Sequence, residues 1–303
     1  MSTNKTKKLS TKNNRDRLIK KIEELPTLPI ISHKIMEILR NEDPSFKELV
    51  GIVEKDQALV LKILKIANST FYGFLSRVSS LEHALVLLGA DEIKSILLGT
   101  SIYNFFPNAN GNGFDRKRFW EHAILCSQIT KFLGTYFDIR YDESLFLSGL
   151  IHDMGKVVLD QYFHEEFLQI IEYISSEKTT FSNAEKKILG TTHYQIAAKL
   201  LKQWKFPDKV IMQVFYHHAP WYDKNYETNS IILYLANIFT KLAGYPCHQD
   251  EKRIDPNEFA NSPEINFVIK NGFDLDYGTI KNLISHIREF VSEEAENVMS
   301  FFE

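Results

Sequence analysis

The sequence predicts an all-α protein, a multi-helix bundle, and three observations carry that prediction. Helix-start signals recur just ahead of apolar-periodic runs. Alternating strand-length runs are scarce. Glycines and prolines fall where helices would stop and restart.

In chain order, residues 1–16 open as a basic, polar tail without an apolar run, which predicts disorder and excludes a secretory signal. Asp43 with Pro44 makes an N-cap followed by proline at the first helical position, and Ser45 with Glu48 has capping-box spacing. Residues 58–67 are apolar nearly throughout, so Lys62 and Lys65 mark one wet stripe on a mostly buried helix. Ser79 with Glu82 starts the next helix. Leu81, Ala84, Leu85 and Leu88, then Ile93, Ile96 and Leu97, form apolar faces either side of Gly89. The polar loop PNANGNGF, residues 107–114, separates an N-terminal helical part, 17–106, from a C-terminal part, 115–303.

Beyond it, Asp115 and Asp142 read as N-caps, Gly134 as a helix stop, and Ser182 with Glu185 as another capping box. Phe206-Pro207-Asp208 breaks one helix and starts another. Residues 219–229 form a polar loop with aromatics, and Gly244 closes a further helix. Residues 244–263, with Pro246, Pro256 and Pro263, predict an excursion between helices. Ile280, Leu283, Ile284, Ile287 and Val291 predict an amphipathic helix over 279–291.

Composition narrows the function. The net charge of −3 lacks the basic balance of a nucleic-acid binder. Cys126 and Cys247 are the two cysteines and form no Cys-x-x-Cys pair, which fits a reducing, cytoplasmic compartment. No apolar run is long enough to span a membrane. Nucleophile-elbow, P-loop, Rossmann and His-Glu-x-x-His patterns are missing. Cys126 stands one helical turn after His122, but its neighbours Leu125 and Ile129 read as core.

Five of the ten histidines fall in an order that suits metal chemistry: His122, His152 followed by Asp153, His193, and the pair His217-His218. Each lies in or at the end of a predicted helix, and bundles build metal sites from inward-facing imidazoles and carboxylates. Neutral imidazole binds Fe, Mn, Ni or Zn, and a carboxylate adds charge and can bridge two ions. His152 and Asp153 are adjacent, so on a helix they diverge by ~100°. They reach one centre if it lies beside that turn. Gly149 and Gly155 flank them and allow close helix packing, and Lys156 is placed to meet an anionic group such as a phosphate. The competing reading is a set of buried core histidines, the reading given to His33, His83, His164, His248 and His286, in the core or at the surface.

Motifs spread over residues 22–242 resemble the HDOD family, the HD-related output domain proteins of bacterial signalling. They are ELPTLP (24–29), KILKIANSTFYG (62–73), VSSLEHALVLLGADEIKSI (78–96), GLIHDMGKVVL (149–159), HYQIAAKLLKQWKFP (193–207) and HHAP (217–220). The resemblance implies an N-terminal helical subdomain packed on an HD-domain-like helical subdomain. The family is similar in fold to HD and HD-GYP phosphodiesterases, which hydrolyse phosphoesters, including cyclic dinucleotides, at a metal centre. Carried over by position, His122, His152, Asp153, His193, His217 and His218 match the metal-ligand pattern, and Lys156 matches its lysine. The implied cofactor is one or two divalent transition metal ions, Fe, Mn, Ni or Zn.

Two departures stand out. Asn237 occupies the position of the pattern's last Asp ligand, and APWYDKNYETN (219–229) replaces the Gly-Tyr-Pro loop. The resemblance therefore implies a regulatory protein acting through a signalling protein partner, while the composition argues against a membrane or nucleic-acid partner. The alternative is a metal-dependent phosphohydrolase, with Asp153 bridging the ions and Lys156 stabilising phosphate charge or moving a proton.

Overall fold

A computed structural model describes residues 17–25, 50–68, 76–106, 114–140 and 142–294, apart from positions 19, 52 and 55. The expectations for residues 1–16, for Asp43, Pro44, Ser45 and Glu48, for His33 and for the boundary loop at 107–113 lie outside the described residues. Among the described residues there are fourteen α-helices, one 3-10 turn and no strand, so the all-α expectation holds.

The N-terminal part contains α1 (Gln57–Ala67), α2 (Leu81–Leu88) and α3 (Ala90–Phe105). Asn68 ties the end of α1 to the start of the next segment. Its side-chain amide donates to the carbonyls of Leu64 (2.7 Å) and Val78 (2.8 Å), and its Oδ1 accepts from the Val78 N–H at 2.8 Å. The wet stripe of α1 runs through Leu61 and Lys65; Leu61 is 63% exposed, and Lys62 is only half-exposed. The cap of α2 is Ser80 rather than Ser79, with its hydroxyl accepting from the His83 N–H at 3.1 Å. Gly89, at φ +85°, turns α2 into α3, and the apolar residues expected on both faces are buried.

The C-terminal part begins with α4 (Arg116–Tyr136), whose cap is Asp115 as expected. Gly134 does not stop it. The left-handed residue that closes α4 is Asp138 (φ 52°), and the Ile139 N–H reaches back to the Gly134 carbonyl at 2.9 Å in a Schellman-type closure. Next come α5 (Ser144–Ile151), α6 (Met154–Tyr162) and α7 (His164–Glu177). Asp142 accepts from the N–H and hydroxyl of Ser144, two residues on, and so still serves the start of α5. Then follow α8 (Phe181–Ile188), α9 (His193–Gln203), α10 (Asp208–Tyr216) and the 3-10 turn Pro220–Tyr222. The cap of α8 is Thr180, not Ser182. The break at Phe206-Pro207-Asp208 falls where expected, between α9 and α10.

The long α11 (Glu227–Ala243) ends at Gly244, at φ +112°. The excursion expected over 244–263 is more ordered than that. Pro256 opens α12 (Pro256–Ala260) and Pro263 opens α13 (Pro263–Lys270), so these prolines start helices. The final α14 (Tyr277–Glu294) buries all five of its expected apolar residues.

Helix α4 is central, packed against α5 and α11, while α9 packs on α6 and α10, and α14 covers α11. Helix α3 lies on α5 and joins the N-terminal part to the rest. A continuous apolar core runs through these layers. No described helix is long and apolar enough to cross a membrane.

Candidate metal centre

The chain brings all six expected ligands to one place. His122 sits mid-way along α4, His193 is the first residue of α9, and His217 and His218 follow the end of α10. Between α5 and α6 the helix breaks for two residues, His152 and Asp153, with Asp153 at φ −96°, ψ 2°. Across that break the two side chains still meet, with Asp153 Oδ2 within 3.4 Å of His152 Nε2. The glycines flanking it permit close approach. A Cβ on Gly149 would lie 2.6 Å from Ser127 Cα, and one on Gly155 would lie 2.0 Å from the His193 carbonyl oxygen.

Asp153 stands at the middle. Its Oδ2 is 3.4 Å from His152 Nε2 and 3.8 Å from His122 Nε2. Its Oδ1 is 3.1 Å from His193 Nε2 and 3.6 Å from His217 Nε2. His218 Nε2 lies 3.1 Å from His193 Nε2. The donors fall into two groups that share Asp153: His122 and His152 in one, and His193, His217 and His218 in the other. In each group the ligand atoms lie within 4.8 Å of one another.

The ring orientations are held from behind. His122 Nδ1 meets the Tyr245 carbonyl (2.7 Å), His152 Nδ1 that of Gly149 (2.7 Å), His217 Nδ1 that of Val214 (2.6 Å), and His193 Nδ1 the Glu185 carboxylate (2.8 Å). Carbonyls and carboxylates only accept, so each Nδ1 carries a proton, and in the neutral ring Nε2 presents a lone pair. The Nε2 atoms of His122, His152 and His217, with Asp153 Oδ1, are buried without a hydrogen-bond partner. Buried polar atoms are rarely left so. Convergent lone pairs around a carboxylate suit a divalent transition metal, and the residues present fit one. Asn237, on α11, is buried, and its carbonyl oxygen likewise has no partner.

The electrostatics favour neutral rings at His122, His217 and His218 around an ionised Asp153 carboxylate. Burial pushes His122 and His217 down to about 3, and it pushes His218 well below the usual imidazole range. Burial is the strongest single influence on His193 and lowers it, but the Glu185 and Asp153 carboxylates together outweigh it and leave that ring above its ordinary value. Asp153 stays well below the carboxylate range despite burial, because Lys156, His152 and His193 face it.

Lys156, expected to meet an anionic group, meets the Asp153 carboxylate. It is 1% exposed, and its ammonium lies 2.6 Å from Asp153 Oδ2, 3.1 Å from Cys247 Sγ, and 4.4 Å above the centre of the Phe181 ring. Burial raises the Cys247 thiol to about 12. Next to it, Glu251 pairs with Lys241 at 2.9 Å.

Four contributors escaped the sequence reading: Glu185, the Tyr245 carbonyl, Cys247 and Glu251. Glu185 had a visible signal. It lies among Phe181, Ala184 and Ile188 on the apolar stripe of α8, where an unpaired carboxylate has no reason to be. The other three sit in the segment read as an excursion.

Two expected results follow. In the metal-free protein, the unfolded chain takes up protons at His122 and His217 between the ordinary value of 6.5 and about 3, and at His218 as pH falls below 6.5, while the folded chain does not. Stability therefore falls as pH falls through that window. His193 works the other way, since its raised value gives stability present below 6.5 and lost as pH rises through its folded value. Three rings outweigh one, so urea midpoints measured from pH 7 to pH 4 should drop steeply; a flat profile would contradict the buried neutral rings. Second, Glu185→Gln removes the charge behind His193 and should weaken metal affinity ~10–100-fold in chelator competition. Parent-like affinity would mean that Glu185 serves packing alone.

A sequence model of the HDOD domain matches residues 25–220. Among solved structures, an HDOD domain protein from Geobacter sulfurreducens is similar with a TM-score of 0.79 at 23% identity, covering 96% of this chain and 99% of that one. A Shewanella amazonensis protein named as a candidate phosphohydrolase is similar with a TM-score of 0.72 at 21% identity, covering 94% and 97%. At these identities the likeness shows the fold. An uncharacterized protein of Treponema pallidum (strain Nichols) is 24% identical over 203 residues, 65% of this chain and 38% of that protein. The chain thus spans less than two-fifths of the length of the curated relatives it matches.

Proposed function

This chain belongs to the HDOD domain family, and on that premise we propose that it is a regulatory protein of bacterial signalling, built around a divalent metal centre and acting through a signalling protein partner in the cytoplasm. The observation that carries the metal reading is the convergence of Nε2 lone pairs on Asp153, with every Nδ1 but that of His218 held by an acceptor. His122, His152 and Asp153 would hold one ion, and Asp153, His193, His217 and His218 a second. Fe, Mn, Ni and Zn all suit this donor set.

The architecture supports a centre that holds the fold together. The ligands come from α4, the α5–α6 break, α9 and the end of α10, so one site ties four parts of the chain. Five of the six ligands are 0–1% exposed. Removing an ion would therefore loosen several helices at once, which is how occupancy could be read by a partner. Binding to the folded state alone stabilises by ~2.7 kcal/mol at a hundredfold excess over Kd. Adding Mn, Fe, Ni or Zn to chelator-treated protein should accordingly raise the unfolding temperature by ~5 °C or more. No shift with any of the four would defeat the reading.

A second reading, a phosphohydrolase, is favoured by one observation: two donor groups share a carboxylate, and one member, His218, is only half-buried and so gives access from solvent. A divalent ion there supplies Lewis-acid stabilisation of a phosphoryl oxygen and lowers the pKa of water. Lys156 keeps Asp153 ionised through its 2.6 Å contact, and the four acceptors hold the rings in the donating tautomer. Asn237 offers a neutral oxygen where an anion would bind an ion more firmly. Hydrolysis of a chromogenic phosphodiester that disappears in Asp153→Asn supports this reading; equal turnover by both proteins refutes it.

A further inference from the structure

A cleft of about 460 Å³ opens beside the metal centre, and its walls converge from separate parts of the chain. Arg118 comes from α4, Lys241 from α11, Lys252 and Arg253 from the segment between α11 and α12, and Arg288 from α14. Glu251 is the one carboxylate among the described residues of the lining. Five cations against one anion is a strong local excess in a chain whose net charge is −3.

Exposed lysines and arginines on a helix are usually a solvated face. Here, however, the charges face one concavity, where low-dielectric walls focus the field. Among the cleft cations, Glu251 pairs with Lys241, at 2.9 Å. Arg118 lies 3.9 Å from Asp115, and the Arg288 guanidinium donates to the neutral Leu242 carbonyl, with no ion pair to a carboxylate among the described residues. Lys252 and Arg253 are exposed.

We propose that this cleft is a binding site for a small molecule carrying two or more linked phosphates. The size argues against a lone phosphate, because cavities of ~300–1,000 Å³ typically enclose whole small molecules. The chemistry argues for phosphate oxygens. Arginine forks and lysine ammonium groups match them, and no aromatic side chain in the described lining offers a stacking surface for a base.

None of the six metal-ligand candidates lines the cleft, yet one wall is bonded to their supports. The segment from Gly244 to Ile254 gives the Tyr245 carbonyl to His122 and the Cys247 thiol to Lys156, and its Glu251 pairs with Lys241. A ligand that orders this segment would therefore strengthen metal binding, and metal would strengthen the ligand by the same factor. That coupling rests on the metal reading; the binding itself does not.

The test is calorimetric titration of the full chain with tripolyphosphate, with orthophosphate as the short comparison. Because tripolyphosphate also binds metal ions, the protein is first treated with chelator and dialysed. Saturable binding is expected, at least tenfold tighter than orthophosphate and weakening with salt. Arg253→Glu combined with Lys252→Glu, both exposed positions, should weaken it at least tenfold. Lys187→Glu, an exposed lysine outside the cleft, should leave it unchanged. Absence of binding at low salt, equal affinity for orthophosphate, or equal losses from the cleft and control variants would each overturn the proposal. Binding retained in the chelated protein, with no metal-induced rise in unfolding temperature, would keep the cleft and remove the metal reading.

Discussion

Asp153→Ala should empty the centre of metal and also destabilise the fold, for two separable reasons. Asp153 is the only residue common to both donor groups, so its loss leaves two imidazoles on one side and three on the other, with no anion between them. Bound metal should fall from one or two ions per chain to none. The stability effect comes from Lys156. Its ammonium, 2.6 Å from Asp153 Oδ2 and 1% exposed, would lose its closest anion. Breaking a buried pair by removing one partner costs ~3–5 kcal/mol. Replacing both partners with apolar groups is often neutral, so Asp153→Ala combined with Lys156→Met should recover most of the stability and none of the metal. Unfolding midpoints and elemental analysis on the three proteins check both halves. If the double variant regains metal, Asp153 is not the shared ligand.

Gly155→Ala is the second large effect, and it acts through the backbone. The added Cβ would lie 2.0 Å from the His193 carbonyl oxygen, 2.7 Å from its carbon and 2.9 Å from its Cα. None of these atoms is the flexible end of a side chain, so α6 and the start of α9 must part by roughly 1 Å or more to restore van der Waals contact. Overpacking of this kind costs ~1–3 kcal/mol, occasionally more. The movement would also carry His193, which opens α9, away from Asp153. The variant should therefore lose stability and metal affinity together, although it changes no ligand. A variant with parent-like affinity would show that the centre tolerates displacement of α9.

How much of this was legible beforehand depended on how local the cause was. The apolar faces over 81–98 and 279–291 follow from periodicity alone, and they are buried as expected. The convergence of the six candidate ligands was legible because titratable residues in or at the ends of successive helices are visible in the chain, as are Gly149 and Gly155. Caps proved off by one or two residues where hydroxyl residues cluster, at Ser79-Ser80 and at Thr179-Thr180 before Ser182, because each can accept from a helix N–H. Gly134 misled because Asp138 took the left-handed position four residues on. Residues 244–263 read as an excursion, since their order comes from distant partners: Tyr245 to His122, and Cys247 to Lys156. Lys156 was read as meeting an anionic group, and the anion beside it is the Asp153 carboxylate, which the one-residue-at-a-time reading of the motif did not pair with it.

Metal content is the most direct measure of the central claim. The full chain, purified without chelator, should carry about one or two divalent transition metal ions per molecule by elemental analysis, since the two donor groups around Asp153 could each hold one. Protein that is folded and empty, and that stays empty after incubation with Fe, Mn, Ni or Zn, would contradict the account and leave the histidines as buried polar groups without a ligand.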